Sequence, residues 1–190
     1  MKITDLLKKE SVELGVRVSS KEGAIDRLVD LMDAAGRLGD KAAYKEGILA
    51  REALGSTAVG DGIAIPHAKV AAVKEPGLAA IVVPDGVDYD AYDGSLSTII
   101  FMIAAPDGEA DVHLEALSKL STLLMDPDFK ESLIHAGSKE EFLRLIDEKE
   151  AGRTAKPKEV KSGYRVLAVT ACPTGIAHTF MAVSYTHLTL

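Results

Sequence analysis

The sequence predicts an α/β fold for residues 1–150, a mixed β-sheet flanked by helices on both faces. Three observations predict it. Leu78 to Val83 and Thr98 to Ala105 are unbroken apolar runs of strand length, rich in Val and Ile, as in strands buried on both faces. Segments with apolar residues at helical spacing lie on either side of them in the chain. Gly- and Pro-marked turns separate the two kinds of segment.

The elements follow in order. Val12 to Val18 alternates as a strand does. Ser19 with Glu22 forms a capping box before the stripe Ala24, Ile25, Leu28, Leu31 and Met32, and Gly36 is placed to stop that helix. Asp40 caps a second helix over about 41–53, with Ala43, Tyr44, Ile48 and Leu49 inward. Gly55, Gly60 and Gly62 mark a loop, and Ile63 to Pro66 a short strand. Pro84-Asp-Gly86 and Pro106-Asp-Gly108 are turns that end the two apolar runs. Asp111 opens a helix to about Met125, with Leu114, Leu117, Leu120 and Leu124 inward. Asp126-Pro127 breaks it and starts another, since proline suits a first helical position. Ser138 and Glu141 make a second capping box before Phe142, Leu145 and Ile146.

Composition narrows the class. The chain has 190 residues, 47% apolar and 27% charged, an ordinary globular balance. Aromatic residues are 5% and Trp is absent, so the core is aliphatic. Residues 151–163 are polar, aperiodic and locally basic, and read as a linker. Residues 1–150 hold 17 basic and 28 acidic residues, a net of −11, against a nucleic-acid or anionic-membrane surface. A single Cys excludes an internal disulfide and fits a reducing cytoplasm. There is no signal-peptide core and no apolar run of about 18 residues to insert into a membrane. After the linker, Tyr164 to Thr170 reads as a strand, followed by the Cys172 loop and a helix start near Gly175. This is the opening of a second parallel α/β domain, truncated, with an aberrant tail from Val183 and too little chain to fold alone.

The candidate chemistry lies in three places. His67 follows Pro66, which holds Ile65 extended, so the imidazole leaves the strand in a defined direction among small residues. Arg51, Ser56 and Thr57 lie upstream and offer a guanidinium and hydroxyls to phosphate oxygens. The residues alone also allow a plain surface histidine. His113, in the first turn of its helix, suits an anion site or a simple helix-start residue, and His135 at a helix end reads as structural. Cys172, between a strand and a helix start, faces backbone N–H groups that cradle phosphate and lower a thiol pKa; the other reading is an inert buried Cys. The histidines lack tight ligand spacing, so no metal is expected.

Arg51-Glu-Ala-Leu-Gly-Ser-Thr-Ala-Val-Gly-Asp-Gly-Ile-Ala-Ile-Pro-His67 resembles the active-site signature of the fructose/mannitol-type enzyme IIA domain of the bacterial phosphoenolpyruvate-dependent sugar phosphotransferase system. His113-Leu-Glu-Ala-Leu-Ser-Lys-Leu resembles that family's second histidine segment. Val169-Thr-Ala-Cys172-Pro-Thr-Gly-Ile-Ala-His-Thr-Phe-Met-Ala182 resembles the phosphocysteine loop of the fructose-type enzyme IIB domain. The resemblance implies that His67 accepts a phosphoryl group, through Nε2, from the histidine phosphocarrier protein. His113 and Arg51 would support it and Cys172 would be the next acceptor. Enzyme IIB and a membrane IIC domain would be the downstream partners, and a fructose-type sugar the substrate taken up. Neither an ATP loop nor a magnesium-binding carboxylate cluster is present, and no cofactor is implied. The protein is expected in the cytoplasm, tethered to the membrane where a IIC domain is attached. The rival function is a regulatory phosphoacceptor that controls other proteins; the Cys172 loop speaks for the relay.

Overall fold

The computed structural model describes residues 2–108 and 110–154. A four-residue helix, α1 (Ile3–Leu6), leads into β1 (Leu7–Glu13). The strand lies earlier than the alternation of 12–18 predicts. Leu7 pairs with Leu78 but Val12 with Ala80, so a bulge carrying exposed Lys8, Lys9 and Glu10 interrupts the ladder and hides the period. Val16 still donates to the carbonyl of Val82 at 2.8 Å, beyond the end of the strand.

Helix α2 (Lys21–Ala34) is capped by Ser20, not Ser19. Ser20 is the last extended residue, and its Oγ accepts from the Gly23 amide at 3.1 Å. Glu22 is therefore no capping partner and meets Lys45 instead, at 3.3 Å. Asp40 caps α3 (Lys41–Ala53) as expected. Tyr44 and Ile48 of its stripe are buried, while Leu49 is exposed.

The stretch read as a glycine loop is a β-hairpin. β2 (Ala58–Gly60) pairs antiparallel with β3 (Ile63–Ala64) across the two-residue turn Asp61-Gly62. Both turn residues have positive φ, 51° and 79°, the geometry that Asp-Gly supplies to tight hairpins. The chain breaks pairing at Ile65-Pro66 and resumes in β4 (His67–Lys69). β5 (Gly77–Val87) runs through Pro84-Asp-Gly86 rather than turning there. Its ladder to β6 (Ser97–Ala105) jumps from Val82–Ile99 to Val87–Ser97, and that bulge accommodates a proline that cannot donate.

Helix α4 (Ala110–Leu124) buries Leu117, Leu120 and Leu124 but leaves Leu114 exposed, against expectation, because the first turn lies at the rim of the core. Asp126 caps α5 (Pro127–Ile134) through the amides of Asp128 and Phe129. Ser138 caps Glu141 at the start of α6 (Lys139–Thr154), but the Glu141 carboxylate reaches Gly137 N–H, so only half the predicted box forms. Because α6 continues to Thr154, residues 151–154, read as the start of a linker, are helical. The rest of the linker, the 164–190 segment and Cys172 lie outside the described residues.

The sheet order is β1-β5-β6-β3-β2, with β4 extending the pairing of β6. β1 is parallel to β5, β5 antiparallel to β6, and β3 and β4 parallel to β6. It is a mixed sheet with helices on both faces, as the sequence predicts. Alternate residues of the two apolar strands feed two cores. Ala79, Ile81, Val83, Ile100 and Met102 pack on the α2–α3 side. Leu78, Ala80, Val82, Phe101 and Ile103 pack on the side of α1, α4, α5 and α6. Among the described residues no helix is long and apolar enough to cross a membrane.

Candidate functional site

β4 starts at His67, which pairs with Ile103 toward the C-terminal end of the buried strand β6. The Ile103 amide donates to the Pro66 carbonyl at 2.9 Å, which anchors the residue before the histidine. The His67 ring is half-buried and its Nδ1 lies 2.7 Å from the carbonyl oxygen of Ile65. A carbonyl only accepts, so Nδ1 carries the proton and Nε2 keeps the lone pair. Burial lowers the His67 pKa, the Ile65 carbonyl opposes that, and the Arg51 guanidinium lowers it further. The net shift is downward, so the ring is a neutral nucleophile near pH 7.

His113, in the first turn of α4, meets it edge to face with ring centroids 5.3 Å apart. Its Nδ1 is buried with no hydrogen-bond partner among the described residues. Burial pushes its pKa down to about 4, helped by His67, Lys69 and Arg51. Two neutral imidazoles thus share a space with cationic side chains acting on them. An arriving phosphoryl group would satisfy that field.

Arg51 is placed by α3, which at Gly47 closely approaches Val70, the residue after β4: a Cβ there would come within 2.7 Å of Val70 Cγ1. Its Nη1 donates to the Gly55 carbonyl at 3.0 Å. The structure brings together His67, His113 and Arg51 of the predicted set. It does not bring the two hydroxyls, because both have other partners. Ser56 Oγ donates to the Tyr89 carbonyl at 2.7 Å and accepts from the Ala58 amide. Thr57 is buried, and both its hydroxyl and its amide donate to Glu52. His135 ends α5 and pairs with Glu131 on the surface. No group of three or more His, Cys, Asp or Glu gathers as for a metal among the described residues.

Three participants were not read from the sequence. Lys69 acts on His113, the Ile65 carbonyl sets the His67 tautomer, and Glu52 is buried beside Arg51. Only Glu52 had a signal. Tyr44, Ile48 and Glu52 fall four apart on one stripe of α3, and a carboxylate on a buried stripe needs partners.

The fold thus gathers a neutral histidine pair and an arginine at one sheet edge, an arrangement suited to an anion-binding domain. Residues 5–149 match the family model "Phosphoenolpyruvate-dependent sugar phosphotransferase system, EIIA 2", and the chain belongs to that family. It is 49% identical over 188 residues to the PTS system fructose-specific EIIABC component of Bacillus subtilis (strain 168), covering 96% of this chain and 30% of that protein. The chain therefore spans under a third of that relative's length. It is 41% identical to the PTS system fructose-specific EIIA component of Haloferax volcanii, covering 77% of this chain and 95% of the relative. Among solved structures, the nitrogen regulatory protein IIA-Ntr from Neisseria meningitidis superposes with a TM-score of 0.70 at 34% identity, covering 75% of this chain and 97% of that one. EIIA domains of this system are phosphotransferases, and this chain carries such a phosphoryl-relay domain.

Proposed function

We propose that His67 Nε2 takes a phosphoryl group from the histidine phosphocarrier protein and passes it to the cysteine of an enzyme IIB domain, for which Cys172 is the candidate, for uptake of a fructose-type sugar. The observation that carries the reading is the hydrogen bond from His67 Nδ1 to the Ile65 carbonyl, which leaves Nε2 as the nucleophile. Nε2 attacks phosphorus as the donor's P–N bond breaks, and the lone pair of that bond returns to the donor imidazole. Arg51 and His113 then face the charge on the equatorial oxygens, where positioning and electrostatics supply most of the catalysis. The proton on Nδ1 stays shared with Ile65, so the phosphorylated ring keeps its orientation. Exposed Leu54, near Arg51 in the chain, and Leu114, beside His113, give apolar surface for a protein donor. The fructose-specific relatives support the sugar class, and the Cys172 loop supports a second acceptor in the same chain. A membrane IIC domain would complete the relay and anchor it.

A regulatory role is the second reading, favoured by the superposition on the nitrogen regulatory protein. One experiment tests the first. Incubation with phosphoenolpyruvate, enzyme I and the phosphocarrier should give acid-labile label on the parent protein and none on His67→Ala. Label of equal size on His67→Ala would refute the assignment. Transfer onward to an enzyme IIB and then to fructose separates relay from regulation.

A further inference from the structure

Glu52 is a carboxylate with almost no exposure, and the mechanism above does not use it. It accepts from the Thr57 amide at 3.1 Å and from the Thr57 hydroxyl, and Lys21 Nζ lies 2.9 Å away. The Lys21 ammonium sits 4.9 Å above the Tyr89 ring and also reaches Asp90 at 3.1 Å. Burial works against the charge on Lys21, yet its hydrogen bonds to Glu52 and Asp90 hold its pKa above the ordinary value.

Thr57 is the last residue before β2, and Ile65 follows β3, so the two close the open end of the hairpin. The Ile65 amide donates to the Thr57 carbonyl at 3.1 Å. The Ile65 carbonyl, on the other side of the same residue, accepts from His67 Nδ1 at 2.7 Å. A continuous chain of bonds therefore runs from Lys21 through Glu52, Thr57 and Ile65 to the imidazole. Glu52 also neighbours Arg51 on α3. One carboxylate thus ties the helix end that presents the guanidinium to the hairpin end that orients the nucleophile.

Burying a carboxylate costs free energy even when it is paired, so Glu52, with the part-exposed Lys21 as its partner, is weak evidence of a purely stabilising role. Its use here fits a need for geometry. We infer that Glu52 is a positioning residue for His67: through Thr57 it places the Ile65 carbonyl that holds the imidazole in the Nδ1–H form. The inference deepens the phosphoacceptor reading and rests on it, but its first readout does not require phosphate.

The test uses the full chain labelled with 15N-histidine, with His67 assigned by comparison with His67→Gln. Two-bond imidazole spectra report the tautomer, and the phosphocarrier assay reports the rate. The parent should show His67 in one form, protonated on Nδ1. Glu52→Ala should move its two ring 15N shifts toward each other and slow acceptance by about ten- to a hundredfold, the scale of a small misplacement of a reacting group. Thr57→Val should move both readouts the same way by less, and Thr57→Ser should recover them. A folded Glu52→Ala protein in which either the tautomer or the rate is unchanged overturns the inference. If Glu52→Ala does not fold, Thr57→Val decides by the same two criteria. If the parent takes no phosphate, the phosphoacceptor reading fails, and the tautomer alone then decides whether Glu52 positions His67.

Discussion

His67 and His113 lie on different elements, β4 and α4, and their rings meet edge to face at 5.3 Å with planes 66° apart. Both are held below the ordinary histidine pKa chiefly by burial, and each sits in the field of Arg51. The pair is therefore uncharged at neutral pH while its surroundings are cationic. That combination keeps Nε2 of His67 nucleophilic and still favours an anion beside it.

Stability should fall as the pH drops from the ordinary histidine value of 6.5 toward about 4. In that window the unfolded chain binds a proton at His113 that the folded chain refuses, so protonation pulls toward unfolding. Urea midpoints at intervals between pH 7 and 4 should show this slope, and His113→Asn should flatten it. An equal slope in the two proteins would mean that His113 is not the group responsible.

His113→Ala should still accept phosphate on His67, but more slowly. Loss of one hydrogen bond to a charged group costs about 1.5–3 kcal/mol. That corresponds to roughly ten- to a hundredfold in rate. Phosphorylation of the parent should in turn raise the His113 pKa, since a nearby anion favours the charged ring. NMR titration of the free and phosphorylated forms checks the second effect, and unchanged rate and phosphate lifetime in the variant would reduce His113 to a helix-start residue.

Transfer from the phosphocarrier should slow as salt rises. Residues 1–150 carry a net of −11, which steers a partner with positive charge around its own histidine. Such steering is screened over about 10 Å at 0.1 M salt. Stopped-flow rates that stay level up to roughly 0.5 M, well past that screening range, would show that encounter is not electrostatically guided.

Phe101→Ala should destabilise the domain by about 3–5 kcal/mol, the range for removing a large buried ring. Phe101 is fully buried in β6, and its centroid lies 6.0 Å from that of Phe142 on α6. The cavity would open between the sheet and that helix. Denaturant unfolding measures the loss, while His67 labelling in the same variant should persist, because Phe101 has its ring partner in Phe142 and His67 has its own in His113.

What the sequence by itself determined was where the central strands and the main helices lie and most of the residues they turn inward. The runs 78–83 and 98–105 lie in buried strands, Asp40 and Asp126 cap their helices, and Leu117, Leu120 and Leu124 face the core. Burial and capping act on a residue and its near neighbours, so periodicity and short motifs record them. Asp61-Gly62 carries a hairpin-turn signal that the flanking Gly55 and Gly60 obscure. The bulges in β1 and β5 were not legible, because an extra residue shifts the alternation that would reveal it. Only the tertiary structure decided the site. It put His113 against His67, gave Thr57 to Glu52 rather than to a phosphate, and turned His67 Nδ1 toward Ile65. These contacts depend on how α3, α4 and the hairpin pack around one sheet edge, and the local pattern of no single segment encodes that arrangement.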